Sequence, residues 1–229
     1  MADRGLAIFD LDGTLADTRA DLASAVNRTR LALGLPAVPL ARVVDSVGNG
    51  LSKLLERIIP ERDDVPAAEK RALWMREYAA HWLDETALYP GIAEALRDLC
   101  RRGWRLAVLS NKPDEATQAV VAGLGIAGWF GVVQGGTPRI PLKPDPASVE
   151  AVVRASGYDG PCSRIWVVGD NYTDLAAARN AGVKSCFCRF GFGRAGDEIP
   201  SATAGSAWEL PEILDCNPRQ PSLPTRNLM

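Results

Sequence analysis

Histidine is almost absent: His81 is the only one in 229 residues. That excludes every metal or catalytic arrangement built on two or more imidazoles. Cysteine is sparse and odd in number. Cys100, Cys162, Cys186, Cys188 and Cys216 are irregularly spaced, a poor basis for a disulfide framework. The "CFC" at 186–188 reads as two small side chains on one face of a strand, because i and i+2 point the same way. Neither sign of charge dominates. With 26 basic and 28 acidic residues the formal net charge is -2, which gives no general pull toward nucleic acid or a membrane surface. No apolar run approaches the roughly 18 residues of a membrane span, and the first one leads into charged residues instead of a leader cleavage site. The expectation is a cytoplasmic protein with neither nucleic acid nor membrane as partner. What is present is an ordinary globular composition, 47% hydrophobic and 24% charged, in a chain long enough for one or two packed domains.

"LAIFD" near the start predicts a short buried strand, an apolar run stopped by Asp and Gly. Residues 17 to about 85 carry helical spacing throughout. The first helix, "DTRADLASAVNRTRLALGL", stops at Gly34 and Pro36. "PLARVVDSV" follows and breaks at "GNG", then "LSKLLERIIP", then "PAAEKRALWMREYAAHWLDE" with Pro66 at its first turn. After "LYPG" at 88–91 the pattern changes to alternation. Helices "IAEALRDLCRRG", "DEATQAVVAGLG", "PASVEAVVRASG" and "TDLAAARNAGV" each precede an apolar strand: "WRLAVLS", "GVVQGG", "RIWVVGD" and "KSCFCRF". Such alternation predicts an α/β fold, a parallel sheet with helices on both faces. The first strand joins that sheet, so the helical block is an insertion. The expected division is a core of 1–16 and 88–215, a helical cap of 17–87, and a disordered proline-rich tail of 216–229. No internal repeat is visible. The glycine-rich stretch "GFGRAGDEIPSATAG" at 191–205 has no assigned role.

In an open parallel sheet, ligands bind beyond the carboxyl ends of the strands. Here those ends carry the polar residues: Asp10, Asp12, Gly13 and Thr14 after the first strand, Ser110, Asn111 and Lys112 after the second, Lys143 and Asp145 after the third, and Asp170, Asn171 and Asp174 after the fourth. Asp10 and Asp12 should repel each other, and a cation would relieve that. Hard oxygen ligands from Asp10, Asp12, Asp170 and Asp174 suit Mg²⁺. Lys143 supplies a point positive charge of the kind that binds phosphate. Ser110, Asn111 and the backbone near Gly13 supply donors. Together they describe a site for phosphoryl transfer, with one carboxylate as nucleophile.

"DLDGTL" at 10–15, "SNK" at 110–112, "LKPDP" at 142–146 and "VGDNYTD" at 168–174 resemble, in order and spacing, the four motifs of the haloacid dehalogenase-like hydrolase superfamily. The resemblance covers residues 5–215 and implies a Rossmann-like core. It makes Asp10 the nucleophile and a Mg²⁺ ligand. Asp12 becomes the general acid/base, with its carbonyl on the metal. Ser110 binds the phosphoryl oxygens and Lys143 stabilises them. Asp170 binds the metal directly, and Asp174 supports it from behind. The second aspartate argues against dehalogenation, which has no alkoxide to protonate.

The insertion resembles the small cap of the phosphoglycolate phosphatase-like branch, with "SVGNGLSKLLER" at 46–57 the sharpest match. Gly48 and Gly50 would bring the backbone close to a small substrate, and Asn49 could donate to it. With Gly13, Thr14 and Asn111 these complete the expected substrate contacts. His81, Arg42, Lys53 and Arg57 read as packing or solvated residues. The implied reaction is Mg²⁺-dependent hydrolysis of a small phosphorylated metabolite, 2-phosphoglycolate first. Other small phosphate esters or pyrophosphate come next, and a phosphoglucomutase-like isomerase or a non-catalytic binding protein after those.

Overall fold

The computed structural model describes residues 4–216. The expected disordered tail therefore lies outside the described residues except for Cys216. Strand β1, Gly5–Phe9, is buried along its whole length and occupies the middle of a six-stranded sheet. Its neighbours are β4, Trp104–Pro113, and β6, Ile165–Gly169. β5, Val132–Gly136, flanks β4. β7, Lys184–Cys188, and β8, Ala202–Ala204, extend the other side. The order is β5-β4-β1-β6-β7-β8, and every pairing is parallel. Ile8 is opposite Ala107 on one side and Val167 on the other.

The period of two along β1 divides the core. Ala7 and Phe9 point into one cluster with Leu96, Val108, Trp166 and Val168. Leu6 and Ile8 point into another with Ala107, Val149, Val152 and Val167. A sheet covered on both faces needs apolar residues at every position, which is why these strands read as continuous runs. The covering helices are α5 (Ile92–Arg101), α6 (Asp114–Gly123), α7 (Pro146–Ser156), α8 (Tyr172–Asn180) and α9 (Leu210–Asp215). Cys186 and Cys188 are free, buried and on the same face of β7.

Between β1 and α5 the chain makes an excursion through α1 (Arg19–Ala32), α2 (Leu40–Val44), α3 (Leu51–Ile58) and α4 (Ala67–Ala79). These helices build their own apolar centre from Leu22, Val26, Leu54, Ile58, Trp74 and Tyr78, among others. Two short strands that helical periodicity cannot reveal bracket them. β2, Ala16–Asp17, pairs antiparallel with β3, Ala87–Leu88. The buried Asp21 side chain joins the same crossing, accepting from the backbone N–H of Glu85 at 3.1 Å and of Thr86 at 2.8 Å. Among the described residues no helix is long and apolar enough to cross a membrane.

Candidate active site

The chain leaves β1 for β4 on one side and returns for β6 on the other. The carboxyl ends of these three strands therefore meet at the switch point of the sheet, where such folds bind ligands. Asp10 follows β1 and is buried. Lys143, from the segment after β5, reaches it: Nζ lies 2.9 Å from Asp10 Oδ1. That contact is ionic and not aligned as a hydrogen bond, since Oδ1 has no hydrogen-bond donor. The directed bonds of Lys143 go to the Leu109 carbonyl and to Asp174 Oδ1, both at 2.7 Å.

Asp170 follows β6. Its Oδ2 accepts the backbone N–H groups of Phe192 at 3.0 Å and Gly193 at 2.7 Å. This gives the unassigned glycine-rich stretch a function: residues 191–193 wrap the aspartate. A Cβ on Gly191 would stand 2.2 Å from the Gly13 carbonyl oxygen, and one on Gly193 2.6 Å from the Asp170 carbonyl oxygen. Only glycine permits that approach. Gly13 is constrained in the same way, with φ of 87° and a would-be Cβ 2.0 Å from Asp170 Oδ2. Sequence reasoning missed the 191–193 wrap because backbone donors leave no residue-type signal. The paired glycines were the only clue.

Oxygens of Asp10, Asp170 and Asp174 lie within 4.8 Å of one another, a group that could hold a metal ion. Burial pushes the Asp10 carboxyl up to about 7, with Lys143 opposing and Asp174 and Asp12 adding. Burial also raises Asp170 well above the carboxylate range, reinforced by Asp10 and Asp174 and opposed by the Gly193 and Phe192 amides. Crowded carboxylates with one oxygen unpartnered fit a hard divalent cation. Both oxygens of Asp174 are occupied, Oδ1 by Lys143 and Oδ2 by the Asn171 N–H at 3.0 Å in the capping box of α8.

Asp12 lies apart from this group. Its carboxylate is chelated by Lys112 Nζ, at 2.8 Å to Oδ1 and 3.1 Å to Oδ2. The same ammonium sits 4.7 Å from the ring centroid of Tyr78 on α4. Burial alone would lower Lys112 and Lys143. The carboxylates they face outweigh it and hold both ammoniums above their ordinary value.

A cleft of about 460 Å³, partly open to solvent, lies between these strand ends and the inserted helices, with Asp10, Asp12, Ser110, Lys112 and Lys143 on the sheet side. Gly48, Gly50, Leu51, Leu54 and Trp74 face them from the insertion. Four of the expected substrate contacts, Gly13, Thr14, Asn49 and Asn111, are buried in turns or bonded to other protein groups. Thr14 is fully buried in the turn after β1. Its N–H and that of Gly13 donate inside that turn, to Leu11 and Ala16. Asn111 has a saturated carboxamide: Nδ2 donates to the carbonyls of Gly48 and Lys143, both at 2.9 Å, and Oδ1 accepts from the Lys143 N–H at 2.8 Å. Asn49 is outside the cleft and donates to the Tyr172 hydroxyl at 2.5 Å. The "GNG" turn is thus seated on the core by Asn111 and Tyr172. Away from the cleft, His81 pairs with Asp84, Lys53 with Glu56, and Arg57 donates to the Ser46 carbonyl.

Residues 5–182 match the haloacid dehalogenase-like hydrolase family. A phosphoglycolate phosphatase of Cereibacter sphaeroides is 35% identical over 181 residues, 77% of this chain and 81% of that protein. Among solved structures, a predicted phosphoglycolate phosphatase from Haemophilus somnus superposes with a TM-score of 0.80 at 26% identity, covering 93% of this chain and 99% of the other. CbbY from Rhodobacter sphaeroides, solved with phosphate bound, gives 0.76 at 25% identity over 90% of this chain and 96% of its own.

Proposed function

This chain belongs to the haloacid dehalogenase-like hydrolases, and from that membership we propose that its reaction is the hydrolysis of a small phosphate monoester, 2-phosphoglycolate. The observation that carries the reading is the convergence on one cleft of Asp10, Asp12, Ser110 and Lys143, with Asp170 and Asp174 clustered on Asp10. Phosphoglycolate phosphatases related to this chain over four-fifths of their length supply the substrate, and the phosphate bound to CbbY supports a phosphoryl site in this architecture.

The Asp10 carboxylate attacks phosphorus, forming an aspartyl-phosphate while the bond to the ester oxygen breaks. Asp12, entering the step as the acid, turns to that oxygen and gives it its proton, then recovers one from the water that hydrolyses the intermediate. Orthophosphate leaves and Asp10 is restored. Lys143 and the Ser110 hydroxyl hold the phosphoryl oxygens, where charge persists throughout transfer. Mg²⁺, held by Asp10, Asp170 and the Asp12 carbonyl, would neutralise carboxylate and phosphoryl charge. Asp174 and Lys143 fix one another behind that set, and Asp174 is buried with both oxygens bonded.

Residues 17–87 act as a cap over the core of 1–16 and 88–215 and exclude water from the cleft. Free cysteines at five positions support a reducing compartment, the cytoplasm, as the setting of this reaction.

The test is phosphate release with Mg²⁺ across 2-phosphoglycolate, sugar phosphates and pyrophosphate, with Asp10→Asn as control. A rate concentrated on 2-phosphoglycolate and lost in the variant is expected. Preference for another ester would replace the substrate but keep the chemistry. Turnover by Asp10→Asn at the unaltered rate would overturn the mechanism.

A further inference from the structure

The cleft has two cations among its lining residues, Lys112 and Lys143. Lys143 is committed. It serves the reacting end: its ammonium donates to the Leu109 carbonyl and Asp174 and lies 2.9 Å from Asp10, facing the phosphoryl position. Among the described residues Lys112 pairs with Asp12 alone, and its ammonium lies 4.7 Å from the centroid of the Tyr78 ring. The side chains that the insertion contributes to the wall are apolar or aromatic: Leu22, Val47, Leu51, Leu54 and Trp74. Two cations of the insertion, Lys53 and Arg57, are engaged elsewhere, Lys53 in an exposed pair with Glu56 and Arg57 on the Ser46 carbonyl.

We propose that Lys112 is the specificity-determining residue of this site: it receives a carboxylate at the non-reacting end of the substrate, exchanging it for Asp12. This rests on the phosphatase reading above and extends it. As long as Asp12 is chelated by Lys112, its oxygens face the ammonium and not a leaving group. Turning Asp12 toward the ester oxygen strips Lys112 of its partner, and a buried ammonium with no counter-charge is costly. A substrate carboxylate removes that cost, whereas a neutral group in the same place does not. The acid end of the substrate thereby releases Asp12 for work at the other end. Trp74 lines the same cleft, and its buried indole Nε1 has no acceptor among the described residues. The side chains of Lys112 and Asp12 are only 2% and 10% exposed, so bulk solvent does little to screen the exchange.

The experiment compares two esters with Mg²⁺ present. One is 2-phosphoglycolate. The other is 2-hydroxyethyl phosphate, the same skeleton with CH₂OH in place of the carboxylate. The unaltered enzyme should favour the acid about 10- to 100-fold in kcat/KM, the range expected of one desolvated charge-assisted contact. Lys112→Met should bring the two esters within about threefold of each other, with the loss concentrated in KM for the acid. Lys112→Gln serves the same purpose if the methionine variant does not fold, as judged by its melting curve. Equal use of both esters by the unaltered enzyme overturns the proposal and leaves the phosphatase standing. So does an equal fall on both esters in the variants, which would make Lys112 a positioning residue for Asp12 alone. Release of phosphate from neither ester, or from any other on the panel, would remove the phosphatase reading and this proposal with it.

Discussion

Replacing Asn111 with alanine separates a residue that touches substrate from one that holds the site together. The side chain makes three buried hydrogen bonds, to the Gly48 carbonyl and to both backbone groups of Lys143. At about 1 kcal/mol net for each, their loss costs about 3 kcal/mol. In a protein of this size that lowers Tm by roughly 6–12 °C, read by calorimetry or dye fluorescence. Catalysis should suffer in a particular way. Lys143 loses the anchors on its own N–H and C=O, so its ammonium drifts from Asp10. A displacement of about 1 Å costs on the order of 100-fold in rate. The expected signature is therefore a lower Tm with a lower kcat and a KM changed much less. A variant with unaltered Tm and kcat but a raised KM would refute this account and return Asn111 to the substrate-contact role that its sequence position first implied.

Two further outcomes follow from the same geometry. Burial moves the Asp10 carboxyl from 3.8 to about 7, so its contribution to stability is intact below 3.8 and is lost as pH rises through 7. In chelator, Tm of the unaltered protein should fall relative to Asp10→Asn across that window; parallel profiles would contradict it. Gly191→Ala places a Cβ 2.2 Å from the Gly13 carbonyl oxygen and 2.4 Å from Asp170 Cβ. Forcing the wrap off Asp170 should raise the Mg²⁺ concentration for half-maximal activity about 10- to 100-fold, and an unchanged metal titration would count against the wrap.

The α/β core was legible because its strands are buried on both faces and its helices alternate with them, which leaves runs such as "LAIF" and "IWVV" between turn residues. The gathering of Asp10, Ser110, Lys143 and Asp170 followed from the rule about strand ends. What escaped were features with no side-chain pattern. β2 and β3 are two residues each, too short for any period. β8 is an edge strand of three residues, Ala202–Ala204, whose place is set by pairing with β7. The donors on Asp170 are backbone amides. Asn111 and Asn49 have the right chemistry for a ligand, but an amide's donors and acceptor serve a neighbouring carbonyl as readily, and only geometry distinguishes the two. Lys112 was visible as part of "SNK", yet its pairing with Asp12 spans 100 positions.

The β2–β3 ribbon has one more consequence. It brings residues 16–17 and 87–88 side by side, so the insertion leaves and re-enters the core across one strand spacing, about 4.8 Å. The register of the core strands is therefore set without reference to the length of what lies between. Lengthening or shortening the insertion leaves β1, β4 and β6 in register, because loop length costs little once the ends are pinned. The ribbon works as a junction at which the insertion can change without shifting the strands that carry the catalytic residues.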